Sequence, residues 1–133
     1  MPEHAPILIC DDDDMIVQIV TSKLRSIGRE VVTASNGAAA LQMIRASLPA
    51  ALILDAVMPG IDGFDVLKLL RAHPKTAHLP VLMLTARRGK DDVTKALKLG
   101  ANGYLAKPFS LTELATRVER LLDRTDTGTA AWL

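Results

Sequence analysis

At 133 residues, 49% of them hydrophobic and 23% charged, the chain has the size and composition of one globular domain around one core. Its formal net charge of +1 argues against a molecule drawn as a whole to nucleic acid or to an acidic membrane. The single cysteine, Cys10, excludes an internal disulfide and a cysteine-based metal cluster, and fits a reducing, cytoplasmic setting.

The start, MPEHAP, lacks the basic and apolar regions of a signal peptide, and no apolar run approaches the ~18–20 residues of a membrane span, so neither is expected. Ile7–Cys10 is a short apolar run ending in four aspartates, and reads as a first strand covered on both faces. Asp13 or Asp14 caps the helix that follows, where acids favour the positive N-terminal end. That helix runs to about Ile27, with Ile16, Val20, Leu24 and Ile27 on one face, Met15 and Ile19 beside it, and Gly28 as its stop. Glu30–Thr33 predicts strand two. Asn36-Gly37 predicts a turn and Ala38–Ser47 helix two, with Ala40, Leu41 and Ile44 inward.

Ala51–Leu54 predicts a buried strand three with Asp55 at its end, followed by the breakers Pro59-Gly60 and Asp62-Gly63. Helix three is expected from about Asp62 to Ala72, with Phe64, Leu67 and Leu70 apolar. Pro80 opens strand four, Val81–Thr85, and helix four spans about Lys90 to Leu99, stopped by Gly100. Asn102-Gly103 turns into strand five, Tyr104–Lys107. Ser110 and Glu113 form a capping-box pattern ahead of helix five, which runs to about Asp123 with Leu111, Leu114, Val118, Leu121 and Leu122 apolar. Residues 1–124 are thus expected to form one domain, and 125–133, without periodicity, a flexible tail or linker stub.

Five strands alternating with five helices predict parallel pairing, right-handed crossovers and a doubly wound, flavodoxin-like α/β sheet of order 2-1-3-4-5. In that order the ends of strands one, three, four and five adjoin, which brings Asp11, Asp12, Asp55, Thr85 and Lys107 to one crevice. Two unit charges ~4 Å apart at an effective dielectric of 20 repel by ~4 kcal/mol, so the crowded carboxylates require either a bound proton or a cation. Magnesium, a hard cation that accepts a few carboxylates plus waters, suits them. A carboxylate, magnesium, a lysine and a hydroxyl constitute a phosphoryl-transfer site, with Asp55 as nucleophile and Lys107 and the metal countering charge on the equatorial oxygens.

The stretches ILICDD (Ile7–Asp12), LILDAVMPGIDG (Leu52–Gly63), VLMLTA (Val81–Ala86) and GANGYLAKPF (Gly100–Phe109), in this order and spacing, resemble the receiver domain of two-component response regulators. The resemblance implies that Asp55 accepts a phosphoryl group from a histidine kinase or histidine phosphotransfer protein. It implies that Asp12, Asp55 and the backbone carbonyl of Val57 hold magnesium directly, and that Asp11 acts through a water. Thr85 and Tyr104 would be paired switch residues, Lys107 the phosphate contact, and the Lys107–Pro108 bond cis. The face formed by helix four, strand five and helix five would meet a second copy or an effector, with no direct binding of nucleic acid or membrane. Cys10 departs from the aliphatic residue usual at its position, and Asp13 and Asp14 extend the acid pair into a run.

The same features admit blander readings. Asp11–Asp14 is no EF-hand loop, since Met15 and Ile16 stand where that loop needs an oxygen ligand and glycine. His4, His73 and His78 lack ligand spacing and read as solvated, as do Lys90, Lys95 and Lys98. Met15 and Ile19 suit either the core margin or a docking patch. Two other functions fit in part. A phosphohydrolase of the haloacid dehalogenase class would read Asp11-x-Asp13, but Met15 replaces its threonine and the chain has no room for a cap. A flavodoxin-type cofactor carrier would need more than 3% aromatic residues and a phosphate-cradling loop after strand one. The preferred expectation is a phosphoacceptor switch rather than an enzyme with turnover.

Overall fold

The computed structural model describes residues 5–86 and 90–127; His4 and residues 128–133 of the expected tail lie outside them. The elements run β1 (Ile7–Cys10), α1 (Asp14–Ser26), β2 (Val31–Ala34), α2 (Gly37–Ala46), β3 (Ala51–Asp55), α3 (Gly63–Ala72), β4 (Val81–Thr85), α4 (Lys90–Lys98), β5 (Gly103–Ala106) and α5 (Leu111–Thr127). All four strand pairings are parallel and the sheet order is β2-β1-β3-β4-β5.

The sheet is apolar on both faces because successive strand residues point to opposite sides. Leu8, Cys10, Leu52, Leu54, Val81 and Met83 pack with Leu41 and Ile44 of α2, Phe64, Leu67 and Leu70 of α3, and Ala96 of α4. Their neighbours Ile7, Ile9, Ala51, Ile53, Leu82 and Leu84 pack on the other face with Val20 and Leu24 of α1 and Leu114, Val118, Leu121 and Leu122 of α5. Central strands therefore read as unbroken hydrophobic runs, while edge strand β2 carries exposed Val32 and Thr33.

Helix starts follow their caps. Asp13 caps α1, its carboxylate accepting from the Met15 and Ile16 N–H groups, and Asp62 caps α3 by accepting from Asp65. Asn36, expected only as a turn residue, caps α2 through Ala39. Ser110 Oγ accepts from Glu113 N–H at 2.9 Å, whereas the Glu113 carboxylate lies 3.4 Å from Arg117, so the capping box is half made.

Several boundaries differ from the sequence expectation, and α2 begins and ends one residue early, at Gly37 and Ala46. Strands β2 and β5 each sit one residue from it, so Lys107 follows β5 rather than closing it. Helix α5 continues to Thr127, past Asp123. Ile27, expected inward, is 41% exposed because it is the C-cap of α1, where the chain leaves the helix towards Gly28 at φ +90°.

Two long-range contacts set how the layers sit. Arg29 donates to both carboxylate oxygens of Glu119 at 2.9 Å, tying the α1–β2 turn to α5. Arg71, on α3, donates to the Gly100 carbonyl (3.0 and 2.8 Å), to the Thr76 carbonyl (3.2 Å) and to Asn102 Oδ1 (3.1 Å), which also accepts from Val81 N–H. Arg71 thereby fixes the end of α4 and the entries of β4 and β5 against α3. No helix among the described residues is long and apolar enough to cross a membrane.

Candidate functional site

The crossovers return the chain so that every strand points the same way, and the ends of β1, β3 and β4 open on one crevice. Asp11 follows β1, Asp55 closes β3, Thr85 closes β4 and Lys107 follows β5. Backbone bonds register them: Asp11 N–H donates to Ala34, Ala56 N–H to Leu84, and Lys107 N–H to the Thr85 carbonyl at 2.8 Å.

Carboxylate oxygens of Asp11, Asp12 and Asp55 lie within 4.8 Å of one another. Asp11 and Asp55 are buried, at 1% and 5% exposure, whereas Asp12 is open to solvent. Lys107 Nζ donates to Asp11 Oδ2 at 2.9 Å and lies 3.6 Å from Asp55 Oδ2, so the lysine is seated on Asp11 and reaches towards Asp55. Asp55 Oδ1 accepts from Val57 N–H at 3.2 Å, and Asp11 Oδ1 from Asp13 N–H at 2.9 Å.

These surroundings govern the proton on Asp55. Burial, then the Asp11 charge, pushes its carboxyl up to about 6, against the opposing pull of the Val57 N–H and Lys107. For Lys107, burial works against the charge, but the hydrogen bond to Asp11 and the charges of Asp55 and Asp11 outweigh it and hold the ammonium above its ordinary pKa. Burial, with Asp11, Asp55 and Asp12 adding to it, pushes the Cys10 thiol up to about 12. Its Sγ contacts the Asn36 carbonyl and Met58 Sδ, so the cysteine is a neutral packing group behind the site.

Three hard oxygen donors around one point, two of them buried with Lys107 beside them, suit a small divalent cation better than they suit three free carboxylates. Thr85 is buried at the lip of this crevice. Val57 is 46% exposed beside Asp55, and its carbonyl belongs to the same loop. Tyr104 pairs with Met83 across the sheet and is half-buried against the α2–α3–α4 layer. The Lys107–Pro108 bond is cis. Asp13 and Asp14 are exposed at the start of α1, as are Met15 at 71% and Ile19 at 40% exposure, which places both apolar residues at the surface.

Gly63 is a site residue that spacing alone did not single out. Its N–H donates to the Ala56 carbonyl, and a Cβ there would run into the Asp55 carbonyl and lie 2.8 Å from Ala56 Cα. Only hydrogen lets α3 begin directly beneath Asp55. Gly63→Ala is expected to lower stability by about 1–3 kcal/mol through displacement of this backbone. A denaturant midpoint equal to that of the parent would show that the loop relaxes freely.

Residues 7–119 match the family model of the response regulator receiver domain. A probable transcriptional regulator ycf27 of Pyropia yezoensis is 42% identical over 120 residues, 90% of this chain and 48% of its own length. The alkaline phosphatase synthesis transcriptional regulatory protein PhoP of Bacillus subtilis is 38% identical over 90% of the chain and 49% of its own length. The chain thus spans about half the length of these curated relatives. Among solved structures, that of a putative response regulator from Chloroflexus aurantiacus superposes with TM-score 0.87 at 45% identity, covering 92% of this chain and all of that one. Vibrio cholerae CheY4 superposes with TM-score 0.83 at 33% identity, over 89% and 98% of the two chains.

Proposed function

The chain belongs to the response regulator receiver domain family of two-component systems, and from that membership we propose that it is a phosphorylation switch with Asp55 as its phosphoacceptor. The observation that carries the assignment is the position of Asp55, buried at the end of a central strand beside Asp11 and within 3.6 Å of the Lys107 ammonium. The donor is a phosphohistidine of a kinase or phosphotransfer protein. An Asp55 carboxylate oxygen attacks the phosphorus, the O–P bond forms as the N–P bond breaks, and the departing imidazole takes a proton.

Asp12, Asp55 and the Val57 carbonyl would hold magnesium, with Asp11 acting through a water; the ion would counter charge on the transferring oxygens. Lys107, already held near Asp55 by Asp11, supplies a second positive charge to the same oxygens. Thr85 offers a hydroxyl at the strand end beside them. The chemistry stops at phosphate acceptance and slow hydrolysis of the acyl phosphate, without turnover of an external substrate. A cytoplasmic location fits the lone, buried, reduced Cys10. The receiver unit closes with α5, and the segment after it would be a tail or the beginning of a linker.

The output follows from Thr85 and Tyr104. Phosphate on Asp55 draws the Thr85 hydroxyl inward, and Tyr104 moves into the space released, which biases the α4–β5–α5 face between two packings and offers it to a second copy or an effector. Incubation with acetyl phosphate and magnesium tests both parts. One phosphoryl group per chain by intact mass is expected, with amide shift changes across residues 90–120. Continuous release of phosphate from small phosphomonoesters would instead indicate a phosphohydrolase. Shifts confined to the surroundings of Asp55 would remove the output face.

A further inference from the structure

The acids of this chain are unevenly placed. Of its fifteen aspartates and glutamates, none falls in Val31–Leu54 or Val66–Lys90. The fold brings parts of both stretches together at the end of the sheet opposite Asp55, where α2 and α3 finish and β3 and β4 begin. Between those helix ends runs a groove of ≈ 810 Å³. Leu41, Ile44 and Leu70 form its apolar floor, and Leu48 and Leu69, each 50% exposed, stand at its rim. Among the described residues, the charged side chains along it are Arg45 and Lys75, both exposed.

A basic residue in the last turn of a helix is favourable in itself, which accounts for Arg45. It does not account for Lys75, which lies beyond α3, or for two half-exposed leucines flanking a concave apolar floor. Nucleic acid suits this surface poorly, because among the described residues no Phe, Tyr or Trp lines it to stack a base and its floor is aliphatic. We propose that the α2–α3 groove is a docking site for an acidic amphipathic helix of a partner protein, its leucine-like residues on the floor and its carboxylates on Arg45 and Lys75. Helix-in-groove recognition uses apolar anchors at i, i+3, i+4 and i+7, a spacing that lets one face span Leu48 and Leu69. The positive rim then selects among amphipathic helices by charge. Among the described residues, none of α4, β5 or α5 and none of the Asp55 crevice lines the groove, so a partner held here would leave the crevice open.

The test uses the full 133-residue chain, labelled with nitrogen-15, and two synthetic helical peptides with leucines at i, i+3, i+4 and i+7. One carries glutamates at the remaining positions and the other lysines. The glutamate peptide is expected to shift amides of Ser47, Leu48, Leu69 and Thr76 saturably below about 1 mM. It should bind at least about tenfold more tightly than the lysine peptide, and the double variant Arg45→Glu/Lys75→Glu, exposed enough to leave the fold intact, should reverse that preference. Absence of saturable shifts, equal affinity for both peptides, shifts centred on another face, or an unchanged preference in the double variant would each overturn the proposal. So would anionic lipid vesicles that attenuate these amides while the glutamate peptide leaves them unmoved.

Discussion

Asp55→Asn takes up no phosphoryl group from acetyl phosphate and magnesium under conditions that label the parent chain. The loss is complete rather than partial because an amide is not a nucleophile towards phosphorus at neutral pH, and the crevice offers no equal substitute. Asp11 is engaged by Lys107 at 2.9 Å and by the Asp13 N–H, and Asp12 is open to solvent. The substitution is close to isosteric, and the amide oxygen retains an acceptor for the Val57 N–H that Asp55 Oδ1 receives at 3.2 Å. A folded variant is therefore expected, and its metal-free form should melt no lower than the parent, since one of three crowded charges is gone. Lys107→Met gives the complementary result, with labelling retained but slowed, because the lysine stabilises charge without forming a bond. Intact mass and peptide mapping read both. Persistent labelling of Asp55→Asn at another residue would displace Asp55 from the assignment.

Much of this arrangement was legible in the chain itself, and the reasons are local. A buried strand in a parallel sheet is an apolar run, so Ile7–Cys10, Ala51–Leu54 and Val81–Leu84 announce themselves, and the polar residue that breaks each run marks the functional end of the sheet. Caps are equally local: Asp13, one of the two expected candidates, and Ser110 act on N–H groups two or three residues away, as does Asp62, which was expected only as a breaker. The features that escaped depend on backbone atoms brought near by folding. Arg71 is an ordinary helix cation until the Gly100 carbonyl, 29 residues away in the chain, arrives beside it. Gly63 is one more turn glycine until the Asp55 carbonyl occupies the place of its missing Cβ. Lys107 was expected at the site, but its preference for Asp11 over Asp55 depends on distances of 2.9 and 3.6 Å that spacing does not encode. Ile27 had the helical spacing of an inward residue and failed because a 3.6-residue repeat says nothing about where the helix stops.

Magnesium is expected to raise the melting temperature of the parent chain by mass action, since the folded crevice gathers carboxylates that the unfolded chain disperses. At a hundred times the dissociation constant the gain is about 2.7 kcal/mol, and at a thousand times about 4.1 kcal/mol, which for a domain of this size amounts to several degrees. The effect has a definite pH dependence. The folded-state pKa of Asp55 is raised from 3.8 to about 6, so its contribution to metal-free stability is present below the unfolded value and is lost as pH rises through about 6. Magnesium must displace that proton, so its stabilisation grows over the same interval in which the metal-free protein weakens, and is greatest above it. Asp12→Ala removes a proposed ligand and should abolish most of the response while leaving the metal-free melt equal to or above that of the parent. The helix cap provides the control, because Asp13, not Asp12, receives the Met15 and Ile16 N–H groups. Asp13→Ala should lower the melt by about 1 kcal/mol of stability with or without the ion. A thermal melt of the three proteins across magnesium concentration and pH separates the roles. Equal magnesium responses in the parent and Asp12→Ala would mean that the acid pair does not hold the metal, and the phosphoacceptor site would lose the cation on which its charge balance depends.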